Sequence, residues 1–82
     1  MNKDENQYQP ISCALYSEYE LAIMHRQRIK LVWHEDGQTR LATVTPIDLK
    51  TKNHQEFLIA EDHQGQNLRI RLDYIRSQDF ID

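Results

Sequence analysis

The stretch that decides the fold runs from residue 29 to residue 45 and reads IKLVWHEDGQTRLATVT. Its first half places apolar side chains at every second position, at Ile29, Leu31 and Trp33. This period of two is typical of a β-strand with one buried face. Asp36-Gly37 follows, and an Asp-Gly pair between two such runs predicts a two-residue hairpin turn. The second half, Arg40 to Thr45, is therefore predicted to be the return strand.

Downstream of the return strand, Pro46 has no amide proton and is expected to end that strand or to move it to a sheet edge. The polar, basic segment Lys50–His54 is then predicted to be a connecting loop. The apolar run at 57–60 predicts another strand, and residues 63–66 predict a second hairpin turn. Two further strands are predicted from the apolar residues that follow: Leu68, Ile70 and Leu72, then Tyr74, Ile75 and Phe80.

Upstream of residue 29 the apolar spacing changes to that of an amphipathic helix. The apolar positions are Leu15, Tyr19, Ala22 and Ile23, at i, i+4, i+7 and i+8. This spacing predicts a helix from Cys13 to about His25. Two starts fit the sequence: Ser12 as the N-cap, or Ser17 with Glu20 as the capping box of a shorter helix.

Together these elements predict a mainly β, α+β fold, with one N-terminal helix followed by four or five short antiparallel strands. A chain of 82 residues has room for one core, so we expect a single domain over residues 8–82. Residues 1–7 are polar and lack apolar periodicity, and we expect them to form a disordered leader. Strands this short are expected to curl into a small open β-barrel or a sandwich, with the helix over one side or end.

The charge of the chain is uneven along its length. Ten Lys and Arg against thirteen Asp and Glu give a net charge of -3. Residues 1–24 contain four acids and one base, whereas residues 25–82 contain nine of each, so the net charge belongs to the first segment. This balance argues against a general nucleic-acid binder and indicates attraction to a basic partner surface. The alternative is that these acids lie on a frayed tail and a solvated helix face.

The chain lacks the residue patterns of an enzyme or a metal site. Its one cysteine, Cys13, can form no internal disulfide and is expected to be a buried small residue at the helix start. The four histidines lack the spacings of metal ligands, and two glycines are too few for a phosphate-binding loop. We therefore expect no catalysis and no cofactor. No apolar run exceeds four residues and no signal peptide is evident, so we expect a cytoplasmic protein without membrane contact.

A basic stripe is the alternative binding feature. Arg69 and Arg71 fall on one face of a predicted strand, and with Lys30 they could bind RNA, as on several small β-barrels. The acids interleaved with them favour a solvated outer face instead. A direct RNA-binding module is therefore the alternative function, and it predicts binding to RNA alone.

Several motifs resemble those of a known family. In chain order they are Tyr8-Gln9-Pro10-Ile11-Ser12-Cys13, Tyr16, Glu20-Leu21-Ala22, Asp36-Gly37 and Arg71-Leu72-Asp73-Tyr74-Ile75. On these residues the chain resembles the Rho-binding antiterminator family, Rof (also called YaeO), in register from Tyr8 to about Phe80. The opening motif and the helix are specific enough to indicate the family, whereas the strand residues occur in many β proteins.

The resemblance implies an Sm-like β-barrel with an N-terminal helix, and a function without catalysis. Members of the family bind the transcription termination factor Rho at its N-terminal RNA-binding (OB-fold) region, block RNA loading and so suppress Rho-dependent termination. The implied partner is thus a protein, with no direct contact to nucleic acid. Pro46 and the even scatter of charge argue against a ring built through edge strands, so we expect a monomer when the protein is free.

By position, the family's contact surface falls on the outer helix face and on the loop that joins the middle strands. The residues that the resemblance implicates in binding Rho are Tyr16, Ser17, Glu20, Lys52, Asn53 and His54, and we add Glu18 as a candidate contact. The position of Ser17 is typically acidic in the family, whereas Glu18 beside it is an acid that members need not have. Either Glu18 compensates from about 100° round the helix, or binding is weaker.

Overall fold

The computed structural model describes residues 7–81. The elements, in chain order, are helix α1 at Cys13–His25 and strands β1 at Ile29–Glu35, β2 at Gln38–Lys52, β3 at Gln55–Glu61, β4 at Asn67–Arg71 and β5 at Ile75–Phe80. A short 3₁₀ turn, Leu72–Tyr74, connects β4 to β5. The predicted leader lies outside the described residues, apart from the exposed Gln7.

The five strands form one antiparallel sheet in the order β4-β3-β2-β1-β5. The predicted mainly β, α+β class with an N-terminal helix is confirmed. A barrel is not supported, because the sheet is open and β4 and β5 are its two edges. These edge strands follow one another along the chain, separated by the 3₁₀ turn, and within residues 7–81 no pairing joins them.

The return strand continues through Pro46, so the prediction that Pro46 ends it is wrong, whereas the predicted alternative of an edge position agrees with the pairing of this part of β2 on one side only. β2 pairs with β1 as far as Val44 and with β3 from Thr45 onward. Pro46 therefore lies just beyond the last residue paired with β1, and a bulge follows between Pro46 and Asp48. A sheet tolerates a residue without an N–H at such a change of partner and at a bulge.

The polar segment after Pro46 is mostly strand, which corrects the predicted loop over Lys50–His54. β2 runs to Lys52, and a two-residue turn at Asn53 and His54 leads into β3. Both turn residues have left-handed backbone angles, with φ of 54° and 64°. Asn and His are among the non-glycine residues that adopt this region most readily. The hairpin therefore forms without the glycine that marks the turns at Gly37 and Gly65.

Helix α1 buries the predicted apolar stripe against the sheet. Tyr19 and Ala22 are fully buried in the core, next to residues of β1 such as Ile29 and Leu31. The Ser12 hydroxyl accepts a hydrogen bond from the Leu15 amide at 3.1 Å, so the helix begins after Ser12 and not at the alternative cap.

Cys13 is exposed, and the prediction that it is buried is wrong. It precedes Tyr19 by six residues, which at 3.6 residues per turn places it about 120° round the helix from that buried side chain.

The segment before α1 is held against the end of β4. The Gln9 amide donates to the Asp73 carboxylate at 3.0 Å, and Arg71 binds the same carboxylate through two hydrogen bonds of 2.7 and 2.8 Å. The Arg71 guanidinium lies 4.4 Å from the ring centroid of Tyr74 and 5.8 Å from that of Tyr8. We call these five residues the clasp, and they join the first and last motifs of the chain in space.

Candidate functional site

An open groove of about 630 Å³ lies between helix α1 and strand β2. Its walls are formed by Tyr16, Ser17, Glu20, Leu21, Ile23, Met24, Asp48 and Leu49, and we call it the acidic groove. The helix residues recur at i, i+4 and i+7 or i+8, so they lie on one face beside the buried stripe. On the strand, the bulge after Pro46 precedes Asp48 and Leu49, and bulges change the direction in which the following side chains project.

The charges of three carboxylates act on the Tyr16 hydroxyl at the edge of this groove. Burial, followed by the negative charges of Glu56, Glu20 and Asp48, raises the pKa of the Tyr16 phenol. These carboxylates come from β3, α1 and β2, so the fold and not the local sequence brings them together. Within residues 7–81, no salt bridge neutralises any of the three. The arrangement is therefore a negatively charged surface around a half-buried phenol, open to a cation.

Hydrogen bonds fix the two carboxylates of the sheet. Glu56 accepts a hydrogen bond of 2.8 Å from the hydroxyl of Tyr8, which belongs to the clasp. Asp48 accepts one of 2.8 Å from the Leu49 amide. These bonds orient the carboxylates while leaving their charge uncompensated. Glu20 is an exposed helix residue, so the third carboxylate is free to turn toward a partner.

Of the residues implicated on the helix, the groove brings together Tyr16, Ser17 and Glu20 but not Glu18. Glu18 is exposed, and its charge acts instead on Tyr19, whose phenol pKa is raised by burial and then by Glu18. The Tyr19 hydroxyl donates a hydrogen bond of 3.3 Å to Gln78 of β5. Glu18 therefore lies outside the groove that Ser17 lines.

The residues implicated in the loop lie at the tip of the β2–β3 hairpin. Lys52, Asn53 and His54 are all exposed. Lys52 lies four residues beyond Asp48 on the same strand, which is about 13 Å at 3.3 Å per residue. The structure thus places this tip on the hairpin that forms one wall of the groove, but outside the groove.

Three groove residues, and Glu56 next to the groove, have features that the sequence did not predict. Asp48 and Glu56 belong to the part of the chain where charges cancel, and their closeness to Tyr16 depends on strand pairing. Leu21 and Met24 are large apolar side chains with 51% and 72% of their surface exposed. The signal for these two was present, since residues 21–24 read LAIM and a one-sided helix cannot bury four consecutive apolar residues.

The basic stripe proposed for RNA binding is not assembled. Arg71 is buried, with 7% of its side chain exposed, and is paired with Asp73. Arg69 is exposed and lies 5.0 Å from the ring centroid of Phe57. Lys30 lies on β1, and two strands separate it from β4 in the sheet.

Among the residues that the structure describes, no group of His, Cys, Asp and Glu is arranged to hold a metal ion. Over the same residues, no helix has the length and apolar character needed to cross a membrane.

Comparisons with known proteins bear on the fold. No family model matches the chain, and no curated protein matches it. Among solved structures, the chain is similar to proteasome accessory factor B/C (PafBC) of Arthrobacter aurescens, with a TM-score of 0.73 and 17% sequence identity. The match covers 90% of this chain but 12% of that one, so this chain corresponds to a small part of a longer protein. At this identity the likeness shows a shared fold and nothing about function.

Proposed function

We propose that this protein is a non-enzymatic inhibitor of the transcription termination factor Rho. It binds the N-terminal RNA-binding (OB-fold) region of Rho, blocks RNA loading and so suppresses Rho-dependent termination in the cytoplasm. The choice of Rho as the partner rests on the resemblance of the motifs to the Rof family. The helix followed by five antiparallel strands agrees with the N-terminal helix and β-rich body that this resemblance implies, although the sheet is open and not a closed barrel.

The observation that carries the proposal is the set of uncompensated carboxylates around Tyr16. Glu20, Asp48 and Glu56 present negative charge next to an aromatic ring. An OB fold that binds single-stranded RNA offers the reverse, a basic groove for the backbone and aromatic side chains on which bases stack. The carboxylates would take the place of phosphates, and the Tyr16 ring would take the place of a base.

Charge complementarity of this kind acts on association rate and is weakened by salt. Binding to Rho is therefore expected to weaken steeply as salt rises. The exposed hairpin tip at Lys52, Asn53 and His54 is a second contact, on the same hairpin as Asp48 and Glu56.

The test is a matched pair of charge reversals on α1, Glu20→Arg and Glu18→Arg. Both change the net charge equally, but Glu20 lines the groove and Glu18 does not. We expect Glu20→Arg to weaken Rho binding at least about tenfold at low salt, and Glu18→Arg to change it by no more than about twofold. The measurement is a titration of purified Rho with each variant, repeated at high salt, where the two affinities should converge.

Two results would contradict the proposal. One is a folded Glu20→Arg variant that binds Rho with the affinity of the wild type. The other is a gel shift of RNA by the wild-type protein in the absence of Rho, which would favour a direct RNA-binding module.

A further inference from the structure

The acidic groove has an apolar half that the proposed function leaves unexplained. Leu21 and Met24 lie side by side on α1 at i and i+3, with 51% and 72% of their surfaces exposed. Single exposed apolar residues are ordinary, but a cluster bordered by charge is typical of a protein-binding surface.

We propose that the groove binds an amphipathic segment of Rho, in which a lysine or arginine stands beside an apolar side chain. The inference rests on the proposed function and specifies the chemistry of its partner. The cation lies between the carboxylates of Glu20 and Asp48, next to the Tyr16 ring, and the apolar side chain covers Leu21 and Met24. Both halves belong to one groove, so a single partner segment contacts them together.

Charge complementarity selects this occupant. A segment with only apolar side chains would bury the groove carboxylates without a cation, which is costly. A segment with only basic side chains would leave Leu21 and Met24 in water. A cation set against the Tyr16 ring gains a further attraction to its π-face. The two halves also respond differently to salt, since ionic contacts are screened and apolar contacts are not.

The experiment replaces Met24 and compares the salt dependence of Rho binding. Met24→Gln keeps the length and helix propensity of the side chain while making it polar. The matched control is Leu41→Gln, because Leu41 is similarly exposed, at 66%, but lies on β2 outside the groove. We expect Met24→Gln to weaken binding about fivefold, by the same factor at low and high salt, and Leu41→Gln to have no effect. Leu21→Gln provides a second groove variant with the same expectation.

The possible outcomes distinguish a failure of the apolar contact from a failure of the proposed function. If the wild type binds Rho but Met24→Gln and Leu21→Gln bind as tightly as the Leu41→Gln control, the apolar half is not a contact, and the proposed function stands. If the loss in Met24→Gln disappears at high salt, the contact is not apolar and the inference is wrong. If the wild type binds no Rho at any salt concentration, the proposed function fails and the inference fails with it. Circular dichroism of each variant establishes that α1 is intact.

Discussion

The clasp and the acidic groove both contain a tyrosine and carboxylates, but the carboxylates differ in whether a cation pairs with them. Each places a tyrosine beside carboxylates, and Glu56 connects them, since it accepts a hydrogen bond from Tyr8 and raises the pKa of Tyr16. In the clasp the acid is paired: Arg71 and Asp73 bind each other through two hydrogen bonds, and each side chain is 7% exposed. In the groove the acids border solvent without a cation among the described residues.

The difference indicates which charges serve the fold and which serve a partner. A buried charge has to be satisfied inside the protein, because leaving it unpaired costs several kcal/mol. An exposed carboxylate has no such requirement and contributes little to stability. Mutations in the clasp should therefore change folding, and mutations in the groove should change binding.

The largest effect is expected from Asp73→Ala in the clasp. This change leaves the buried Arg71 guanidinium without its carboxylate and removes the acceptor of the Gln9 amide. We expect a loss of about 3 kcal/mol in the free energy of unfolding, measured by urea denaturation. The control is Asp79→Ala on the exposed side of β5, for which we expect a change within about 0.5 kcal/mol. If Asp73→Ala and Asp79→Ala lose the same unfolding free energy, the paired carboxylate stabilises the fold no more than the exposed one, which contradicts the prediction.

The acid dependence of stability tests the same pair without removing its side chain. Burial opposes ionisation of Asp73, but the hydrogen bonds from Arg71 and from the Gln9 amide outweigh it and lower the pKa of this carboxyl. The stabilisation is thus complete above the unfolded-state pKa of about 3.9 and is lost as pH falls through the lower pKa of the folded state. The difference in unfolding free energy between the wild type and Asp73→Asn should therefore shrink below about pH 4. A difference that stays constant as the pH is lowered would contradict the assignment.

Local patterns predicted the elements well, and long-range pairing explains where they did not. Apolar spacing located α1 while leaving two possible N-caps, of which the structure shows Ser12, and Asp36-Gly37 located the first hairpin. The rule that proline interrupts a strand failed because β2 changes partner between Val44 and Thr45, which no local window shows. The β2–β3 turn was missed because Asn53 and His54 adopt left-handed angles without a glycine.

The candidate site shows the same division between local and long-range information. Tyr16, Ser17 and Glu20 are neighbours on one helix, so helical spacing together with the family resemblance was sufficient to group them. Asp48 and Glu56 join them through the fold, and the sequence offered no reason to select these two acids. Arg71 was expected at the surface because arginine is rarely buried, and the 3₁₀ turn after it is what brings the Asp73 carboxylate within reach.

The smallest and most discriminating prediction compares the two tyrosines that flank Glu56. Tyr8→Phe removes the 2.8 Å hydrogen bond to the half-buried Glu56, so we expect a loss of about 1 kcal/mol in unfolding free energy with little change in affinity for Rho. The Tyr16 hydroxyl makes no hydrogen bond to any of residues 7–81, so Tyr16→Phe should change stability by less than about 0.5 kcal/mol.

For the affinity for Rho we expect the opposite ranking: Tyr16→Phe should weaken binding more than Tyr8→Phe does. Tyr16→Phe keeps the ring but removes a neutral hydroxyl that can donate a hydrogen bond to the partner, and we expect binding about threefold weaker. Urea denaturation and Rho titration on the same preparations give both quantities. If Tyr8→Phe weakens binding as much as Tyr16→Phe does, the clasp also positions Glu56 for the partner, and the two regions act as one surface.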